Sequence, residues 1–307
     1  MIYNHEFHAM SCKILAIIDT DSRPSMLDEV PVWFEEWEQD LSRFRSDSEL
    51  SQLNLNSGSP ITVSQALWDV FQSSLDAERL TQGLVNPLIL DALVYAGYEK
   101  SFDRFQIESA TYFSDAEVSV PSLSQVISDE SSKTICLPQG ARLDFGGIAK
   151  GWAAHRTAER LKEIGSALVS AGGDIEVSGP LLNDDAWSIG VEDPFNLNSY
   201  LETIYLKYGG VATSGKDYRF WMRNGKPQHH VIDPNTGLPA ETDILTATII
   251  APTVMQAEAM AKAVLISGSQ IGLSWLDGDE TFAGLLVLEN GERLDTWNLR
   301  KYLRPNV

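Results

Sequence analysis

Two short segments of the sequence combine glycines, charged side chains and turn-forming residues more densely than an ordinary core segment does. Residues 143–151 read LDFGGIAKG, and residues 230–237 read HVIDPNTG. In the first segment an apolar strand end runs into Gly146 and Gly147, where a ligand can approach the backbone closely. A helical pattern follows from Ile148, and its N-terminal amides face the same place. The segment therefore predicts a site for a ligand that carries phosphate.

Two charged side chains lie in this first segment. Lys150 comes one turn after the glycine pair, which favours a phosphate contact over the alternative of a solvated helix lysine. Asp144 directly precedes the pair, where its carboxylate could bond ribose or adenine groups or cap the helix that follows. A second glycine pair, Gly172-Gly173, precedes Asp174 and is most simply interpreted as a hairpin turn.

The second segment places titratable side chains on a turn. His230, Asp233 and Thr236 surround Pro234 and Gly237, and such turns direct side chains into a cleft while the flanking strands stay rigid. A neutral imidazole accepts a proton near neutral pH, so His230 is a candidate general base. The alternative is a histidine that only hydrogen-bonds within its turn. Thr236 is equally open to a turn role and a ligand role.

The composition excludes some classes of partner. The chain has 307 residues, 43% of them hydrophobic, and a formal net charge of -20. Such a chain can bury a sizeable core, and its charge repels nucleic acid and anionic membrane surfaces. It also repels a phosphate ligand, so the site must supply local donors, a helix end or a cation. We therefore expect no nucleic-acid partner and no membrane insertion.

The cysteines and the N-terminal residues bear on location. Cys12 and Cys136 are too few for a disulfide framework, and apolar surroundings predict that both are buried thiols. Residues 1–12 contain no apolar leader, and no run of eighteen apolar residues occurs. These features predict a cytoplasmic protein.

Hydrophobic spacing predicts mixed elements without a regular βαβ repeat, so we expect an α+β fold. The chain is expected to form one domain, or two closely joined halves at about 1–140 and 141–307. Short strand-like stretches are expected between 98 and 142. Predicted helices lie at 27–44, with Pro31 in the first turn, from 46–49 through 54, from the Ser64 cap to about 81, from 86 to about 97, and at 148–164, 255–266 and 270–276. Predicted strands lie at 12–19, across 167–178 with a turn at the glycine pair, and at 186–192, 201–207, 209–213, 246–251 and 282–288. The four tryptophans on apolar helical faces are assigned to the core, namely Trp33, Trp37, Trp68 and Trp152.

The motifs taken together resemble the ApbE family, the FAD:protein FMN transferases. The resemblance implies an α+β, T-fold-like architecture of mixed sheets with packed helices. It also implies Mg²⁺-dependent transfer of FMN from FAD to a Ser or Thr of a target protein, with release of AMP. The matching segments are FHAMS at 7–11, SRFRSDSELSQLN at 42–54, GLVNPLILDALVYAGY at 83–98, LDFGGIAKG at 143–151, SAGGDIEVSG at 170–179, VATSGKDYRF at 211–220 and HHVIDPNTGLP at 229–239.

The same resemblance implies roles for individual residues. His230 and Asp233 would be catalytic, and the backbone carbonyl of Gly147 would bind the metal. Asn86 replaces a residue that is more often acidic near the flavin, and Phe44 replaces a more usual Tyr. The FAD contacts would fall on Met10, Phe44, Asn86, Asp144, Gly146, Lys150, Thr213, Ser214, Ile232 and Thr236.

The remaining metal positions depart from the family pattern. The last long helix of the family usually carries an Asp and, four residues on, a Thr or Ser that bind the cation, whereas this sequence has Glu258 and Lys262 there. A charged lysine has no lone pair to offer a hard cation. We favour the hypothesis that the Lys262 ammonium replaces the metal; the alternative is an exposed i,i+4 ion pair.

These departures leave three functions open. The leading prediction is an FMN transferase with weakened or absent magnesium dependence. Substitutions at Phe44, Asn86, Leu88, Glu258 and Lys262 are also typical of a relative that binds FAD without turning it over. A metal-dependent FAD pyrophosphatase, releasing free FMN and AMP, is the third class.

Overall fold

The fold is built on one eight-stranded antiparallel sheet with helices packed against it. A computed structural model describes residues 1–100, 118–223 and 225–304. The strands are β1 (Ile2–Ala9), β2 (Cys12–Asp19), β3 (Ile61–Thr62), β4 (Ile127–Asp129), β5 (Thr134–Cys136), β6 (Ser166–Ala171), β7 (Asp174–Val177), β8 (Trp187–Asp193), β9 (Asn196–Leu206), β10 (Gly209–Gly215), β11 (Phe220–Arg223), β12 (Lys226–His229), β13 (Ile232–Asp233), β14 (Leu238–Pro239), β15 (Ile244–Ala251), β16 (Ala283–Leu288) and β17 (Arg293–Asp295). The helices are α1 (Met26–Leu41), α2 (Glu49–Leu55), α3 (Gln65–Leu80), α4 (Leu90–Ala96), α5 (Ala149–Leu161), α6 (Val254–Ser267) and α7 (Ser269–Gly278), with short 3₁₀ turns at Pro87–Ile89, Leu123–Gln125 and Trp297–Tyr302.

The main sheet has the strand order β1-β2-β6-β7-β10-β15-β16-β17. Strands from both parts of the chain share it, because β2 pairs with β6 along Ile14–Asp19. Alternate side chains of β6 enter different cores: Val169 packs with the helices, and Leu168 packs on the opposite face. This period of two is what a strand covered on both faces requires.

Helices cover one face of the sheet. α5 contacts β6 and β7, and α6 contacts β10 and β15, so the two helices lie side by side over the sheet centre. The Thr253 hydroxyl accepts the amide of Gln256 at 3.3 Å and so caps α6; Ser64 caps α3 in the same way. Such caps are each worth ~1 kcal/mol. The carboxylate of Glu176 also accepts the amide of Val254 at 2.6 Å, which fixes the start of α6 to the sheet.

The opposite face of the sheet is covered by the β8–β9 hairpin. Trp187 and Ile189 from β8 and Ile204 from β9 are buried against Leu168 and Val211 of the sheet. The fold is therefore layered as helices, sheet and hairpin.

Two tight hairpin turns lie next to each other at one end of the sheet. Met10 and Ser11 connect β1 to β2 with φ of 51° and 56°, and the second glycine pair connects β6 to β7 with φ of 64° and 95°. Positive φ at both central residues is the geometry of a type I′ turn. A Cβ on Gly172 would lie 2.9 Å from the Cβ of Cys12, so glycine is needed where the two turns meet.

Most predicted elements are present, and the α+β prediction is confirmed. The strand β1 was not predicted. Pro31 lies in the second turn of α1, not the first, because the helix begins at Met26. That helix ends at Leu41, so Phe44 lies beyond it. Residues 101–117, within the predicted strand-like stretch, lie outside the described residues.

Burial of the tryptophans and cysteines also bears on the sequence predictions. Trp37, Trp68 and Trp152 are buried, and Trp33 packs partly buried against the same core. Both cysteines are half-buried, so the prediction of buried thiols was wrong. Of the helices in the described part of the chain, none has the length and apolar composition that a bilayer crossing requires.

Candidate active site

A large cleft of about 1100 Å³ lies beside the two hairpin turns. Segments from distant parts of the chain meet there, including the first glycine pair and the turn that carries His230. Twelve of the fifteen predicted site residues line it: Met10, Phe44, Asn86, Asp144, Gly146, Gly147, Lys150, Thr213, Ser214, His230, Ile232 and Lys262. Asp233, Thr236 and Glu258 do not belong to the lining.

Four charged side chains from three elements form a closed network at one wall of the cleft. Lys150 from α5 makes a close ion pair with Asp174 at the start of β7. Its Nζ also lies 3.3 Å from Oε1 of Glu258, and Nζ of Lys262 lies 3.0 Å from the same oxygen. We call these residues the charge tetrad. With all four side chains ionised, its two cations balance its two anions.

The carboxylates of the tetrad are buried, which decides whether Glu258 and Lys262 form an exposed surface pair. Glu258 is 1% exposed and Asp174 is 3% exposed. The interpretation of Glu258 and Lys262 as an exposed surface pair was therefore wrong. The prediction that the second glycine pair makes only a hairpin turn was incomplete, because the turn also delivers Asp174 to Lys150.

The pKa values of three tetrad members reflect a balance between burial and the ion pairs of the network. Burial alone would raise the pKa of Glu258, but Lys150 and Lys262 hold that pKa below its usual range. Burial likewise opposes the charge of Lys150, and the carboxylates of Asp174 and Glu258 raise its pKa above the ordinary value. For Asp174, burial outweighs the attraction of Lys150 and raises its pKa. A buried network of this kind is stable only while every member keeps its partner.

Carboxylates of the protein occupy two backbone donors of the glycine-rich segment that the sequence had assigned to a ligand. Oε2 of Glu258 accepts the amide of Gly151 in the first turn of α5 at 3.2 Å. Oδ1 of Asp144 accepts the amide of Gly146 at 2.7 Å. These two helix-start amides are therefore satisfied by carboxylates of the protein itself.

The residues do not fit a divalent cation in the predicted position. Both carboxylate oxygens of Glu258 accept N–H groups, and the Lys262 ammonium stands in the cation position. A Cβ on Gly147 would come within 2.8 Å of Lys262 Cε, so the lysine arm packs against the residue whose carbonyl was predicted to bind the metal. Within the described ranges, no group of three His, Cys, Asp or Glu side chains is arranged to hold a metal ion.

Arg43 organises another part of the wall. Its guanidinium makes a close ion pair with Asp144 and donates to the Tyr98 carbonyl at 2.9 Å. It lies 4.2 Å from the ring centroid of Phe44 and 4.8 Å from that of Tyr98. Phe44 is 40% exposed, so one face of its ring remains available for stacking.

His230 has an unusual environment. Its Nδ1 is buried without a hydrogen-bond partner among the described residues. Burial, followed by the positive charges of Arg219 and Lys262, lowers the pKa of His230 to about 3. The imidazole is therefore neutral at neutral pH. A buried polar atom without a partner is costly and marks a place where a ligand can supply the missing hydrogen bond.

Asp233 and Thr236 shape the turn and do not face the cleft. Oδ1 of Asp233 accepts the amide of Asn235 at 2.9 Å, and its carbonyl accepts the amide of Gly237 at 2.8 Å. The Thr236 hydroxyl donates to the same carbonyl at 3.3 Å. The structure thus gives both side chains a local role, and Ile232 is the neighbour that reaches the cleft.

The other predicted contacts have defined places. Asn86 caps the 3₁₀ turn by accepting the Leu88 amide at 2.9 Å and donates to the Pro121 carbonyl at 2.9 Å. The Met10 amide donates to Glu38 at 2.7 Å, which fixes the hairpin turn against α1. The hydroxyls of Thr213 and Thr248 lie 2.9 Å apart on neighbouring strands, and Ser214 is buried beside them.

Sequence reasoning did not identify Asp174, Arg43 or Arg219 as site residues, although all three line the cleft. Each lies within a quoted motif, but only the three-dimensional pairing distinguishes them from turn or surface residues. Arg43 could have been suspected from its place beside Phe44.

Comparison with known proteins places this arrangement in context. A family model described as "ApbE family" matches residues 10–286. A FAD:protein FMN transferase of Treponema pallidum is 32% identical over 259 residues, covering 79% of this chain and 71% of that protein. A protein of the same name from Haemophilus influenzae is 26% identical, covering 82% of this chain and 75% of that protein.

Solved structures share the fold. The structure of an ApbE protein from Thermotoga maritima superimposes with a TM-score of 0.86 at 23% identity, covering 99% of this chain and 100% of that one. The apo form of a flavinyl transferase from Pseudomonas stutzeri superimposes with a TM-score of 0.82 at 20% identity, covering 100% of this chain and 98% of that one.

Proposed function

Since the chain belongs to the ApbE family, we propose that it transfers FMN from FAD to a Ser or Thr hydroxyl of an acceptor protein. The acceptor oxygen bonds to the phosphorus that carries riboflavin, and the bond from that phosphorus to the bridging oxygen breaks. AMP leaves with the bridging oxygen and its electron pair. The hydroxyl proton must pass to a base of the protein.

The observation that supports this proposal most is the unpartnered Nδ1 of His230 in the wall of the cleft. A neutral imidazole with a free acceptor nitrogen can take the proton of a hydroxyl. Its low pKa makes it a weak base in the empty cleft. The negative diphosphate of FAD would raise that pKa, because an adjacent anion favours the imidazolium. Substrate binding would therefore prepare the base for its task.

The remaining roles follow from the geometry. Met10, Phe44, Asn86, Asp144, Gly146, Thr213, Ser214 and Ile232 are proposed to surround FAD, with the Phe44 ring as a stacking face. Lys150 is proposed to lie beside the diphosphate while it neutralises the tetrad carboxylates. Asp233 and Thr236 are proposed as positioning residues, because their hydrogen bonds hold the turn that carries His230.

The tetrad supports a transfer that needs no divalent metal at this position. Lys262 supplies the positive charge that Glu258 requires and occupies the predicted cation position. We therefore propose that FAD binds and reacts in the presence of a chelator. Lys262 in the predicted cation position also fits the alternative of a relative that binds FAD without turnover, because an ammonium neutralises less charge than a divalent ion.

The test is incubation of the purified protein with FAD and an array of Ser- and Thr-containing peptides, with EDTA or with Mg²⁺. Mass spectrometry measures peptide-bound FMN, and chromatography measures AMP. AMP that forms only with peptide-bound FMN, in both conditions, supports transfer. Bound FAD with no AMP supports the binding protein, and AMP with free FMN supports the pyrophosphatase. His230→Gln should lower the transfer rate ~10²- to 10⁴-fold while FAD still binds.

The metal position has its own variant. Glu258→Asp combined with Lys262→Thr removes the ammonium and supplies short oxygen ligands. Binding of FAD to this double variant, measured by flavin fluorescence, should become stronger when Mg²⁺ replaces EDTA, whereas the wild-type affinity should not change. An unchanged response in the double variant would contradict the replacement of a metal by Lys262.

A further inference from the structure

The cations in the wall of the cleft differ in whether a carboxylate already neutralises them. Lys13 lies 2.9 Å from Glu6, and Arg43 pairs with Asp144. Lys150 and Lys262 belong to the neutral tetrad. None of these four therefore adds net positive charge for an anionic ligand, whichever hydrogen bonds it can still donate.

Arg219 is the exception among the lining cations. It lies between β10 and β11, is half-buried, and makes no ion pair with a carboxylate anywhere in residues 1–100, 118–223 and 225–304. Arg219 lines the same cleft as His230 and Cys12, and its positive charge adds to the burial that lowers the pKa of His230. A partly buried guanidinium without a counter-ion is unfavourable unless an anion comes to it.

Two further carboxylates of the cleft lining, Asp217 and Glu192, form no ion pair with Arg219. Asp217 also lines the cleft, and burial together with Glu192 raises its pKa, so its ionised form is disfavoured where it stands. Glu192 lies on β8 and is exposed. Among the described residues, Arg219 is therefore a lining cation without an ion pair, whereas each cation of the tetrad contacts a carboxylate.

We propose that Arg219 binds the diphosphate of FAD and supplies the positive charge that the tetrad cannot. This inference rests on the proposed function and deepens it. A guanidinium donates two parallel N–H groups to phosphate oxygens, which fixes orientation as well as charge. With the diphosphate held between Arg219 and the tetrad, the reacting phosphorus lies near His230. Arg219 then also stabilises the charge that grows on the phosphate oxygens as the acceptor oxygen attacks.

If Arg219 binds the diphosphate, its replacement should weaken the binding of flavins that carry phosphate and leave the binding of riboflavin unchanged. Riboflavin shares the flavin ring of FAD but carries no phosphate, so only FAD should depend on Arg219. The experiment measures the affinities of both ligands for the full chain by flavin fluorescence in EDTA, for the wild type, Arg219→Met and Arg219→Lys. Lys13→Met is the matched control, because it removes a lining cation that Glu6 already neutralises.

Arg219→Met should weaken FAD binding by about 10- to 100-fold, the range expected for hydrogen bonds to a charged group, and change riboflavin affinity less than about twofold. Arg219→Lys should recover part of the FAD affinity, and Lys13→Met should change neither ligand. Equal losses for both ligands, or an unchanged FAD affinity, would overturn the role of Arg219. A wild type that binds neither ligand would instead overturn the proposed function. Thermal unfolding of each variant confirms that it is folded, and Arg219→Lys decides the question if Arg219→Met is not.

Discussion

The two walls of the cleft differ in how completely their polar groups are paired. On the wall made by α5, α6 and β7, the tetrad balances two ammonium groups against two carboxylates and engages the amide of Gly151. On the wall made by the loop after β10 and the His230 turn, Nδ1 of His230 lacks a hydrogen bond and Arg219 lacks a carboxylate among the described residues.

Paired groups in this site contribute mainly to stability, and unpaired groups mainly to function. A paired buried network gains nothing from a ligand but loses much if one member is removed. An unpaired donor or acceptor is costly in the empty protein and is relieved by the right ligand. Substitutions on the tetrad wall should therefore act mainly on folding, and substitutions on the opposite wall mainly on binding and transfer.

The largest effect on stability is expected at Lys150. Replacing Lys150 by Met leaves Asp174 buried without its cation and leaves Glu258 with Lys262 alone, so the free energy of unfolding should fall by about 3–5 kcal/mol. Urea denaturation followed by circular dichroism measures the change. Lys162→Met is the control, because Lys162 lies at the opposite end of α5 and forms an exposed pair with Glu159 at 3.3 Å, where about 0–1 kcal/mol is expected. Equal effects at the two lysines would remove the distinction between the walls.

A smaller loss is expected from a methyl group pressed into the tetrad. In Gly151→Ala the new Cβ would lie 2.5 Å from Oε2 of Glu258 and 3.7 Å from Cα of Met255. The overlap should outweigh the helix propensity of alanine and destabilise the protein by ~1–3 kcal/mol. Gly278→Ala, at the end of α7, is the control, since no heavy atom of the described residues lies within 4 Å of its Cβ. A stabilised Gly151→Ala would show that the tetrad can move aside.

The smallest effect is a pH dependence that originates on the unpaired wall. Burial and adjacent cations lower the pKa of His230 to about 3, against about 6.5 in an unfolded chain. The unfolded state therefore binds a proton between these values that the folded state does not, so stability is lost as the pH falls from about 6.5 towards 3. His230→Asn should reduce the slope of unfolding free energy against pH by at most about 1.4 kcal/mol per pH unit.

Urea midpoints for the wild type and His230→Asn between pH 7 and pH 5 measure that slope. His229, whose pKa burial also lowers, is present in both proteins and cancels in the comparison. Parallel pH profiles would mean that His230 is hydrated in solution and that its wall is less dry than the structure indicates.

The sequence predicted those parts of the fold that local chemistry determines. Ser64 before an apolar 3.6-residue period identified α3, and the second glycine pair identified the β6–β7 turn. The edge strand β1 was not predicted because its residues IYNHEFHA alternate between exposed and half-covered positions, which leaves a weak apolar signal. Backbone pairing with β2 holds β1 in the sheet, and the sequence pattern does not show that pairing.

In the candidate site, too, the sequence predicted local features and missed the contacts between distant residues. The glycine and histidine motifs correctly identified segments that line one cleft, and Glu258 and Lys262 were recognised as an unusual pair. Their burial, and the capture of Lys150 by Asp174, depend on side chains that are 24 and 108 residues away from Lys150 in the chain. Catalysis by Asp233 and a ligand contact by Thr236 stay predictions. In the structure both side chains bond within the turn, and a turn motif does not show which of its side chains faces inward.

The two neighbouring hairpin turns have a consequence for how this protein can be changed. One uses glycines at its left-handed positions, and the other forces Met10 and Ser11 into that conformation. Asparagine and glycine would relieve the backbone at the second turn, yet they would also erase the thioether that overhangs the cleft. Thermal stability and ligand recognition therefore place opposite demands on residues 10 and 11. A variant selected for higher stability in the absence of flavin should lose Met10 first.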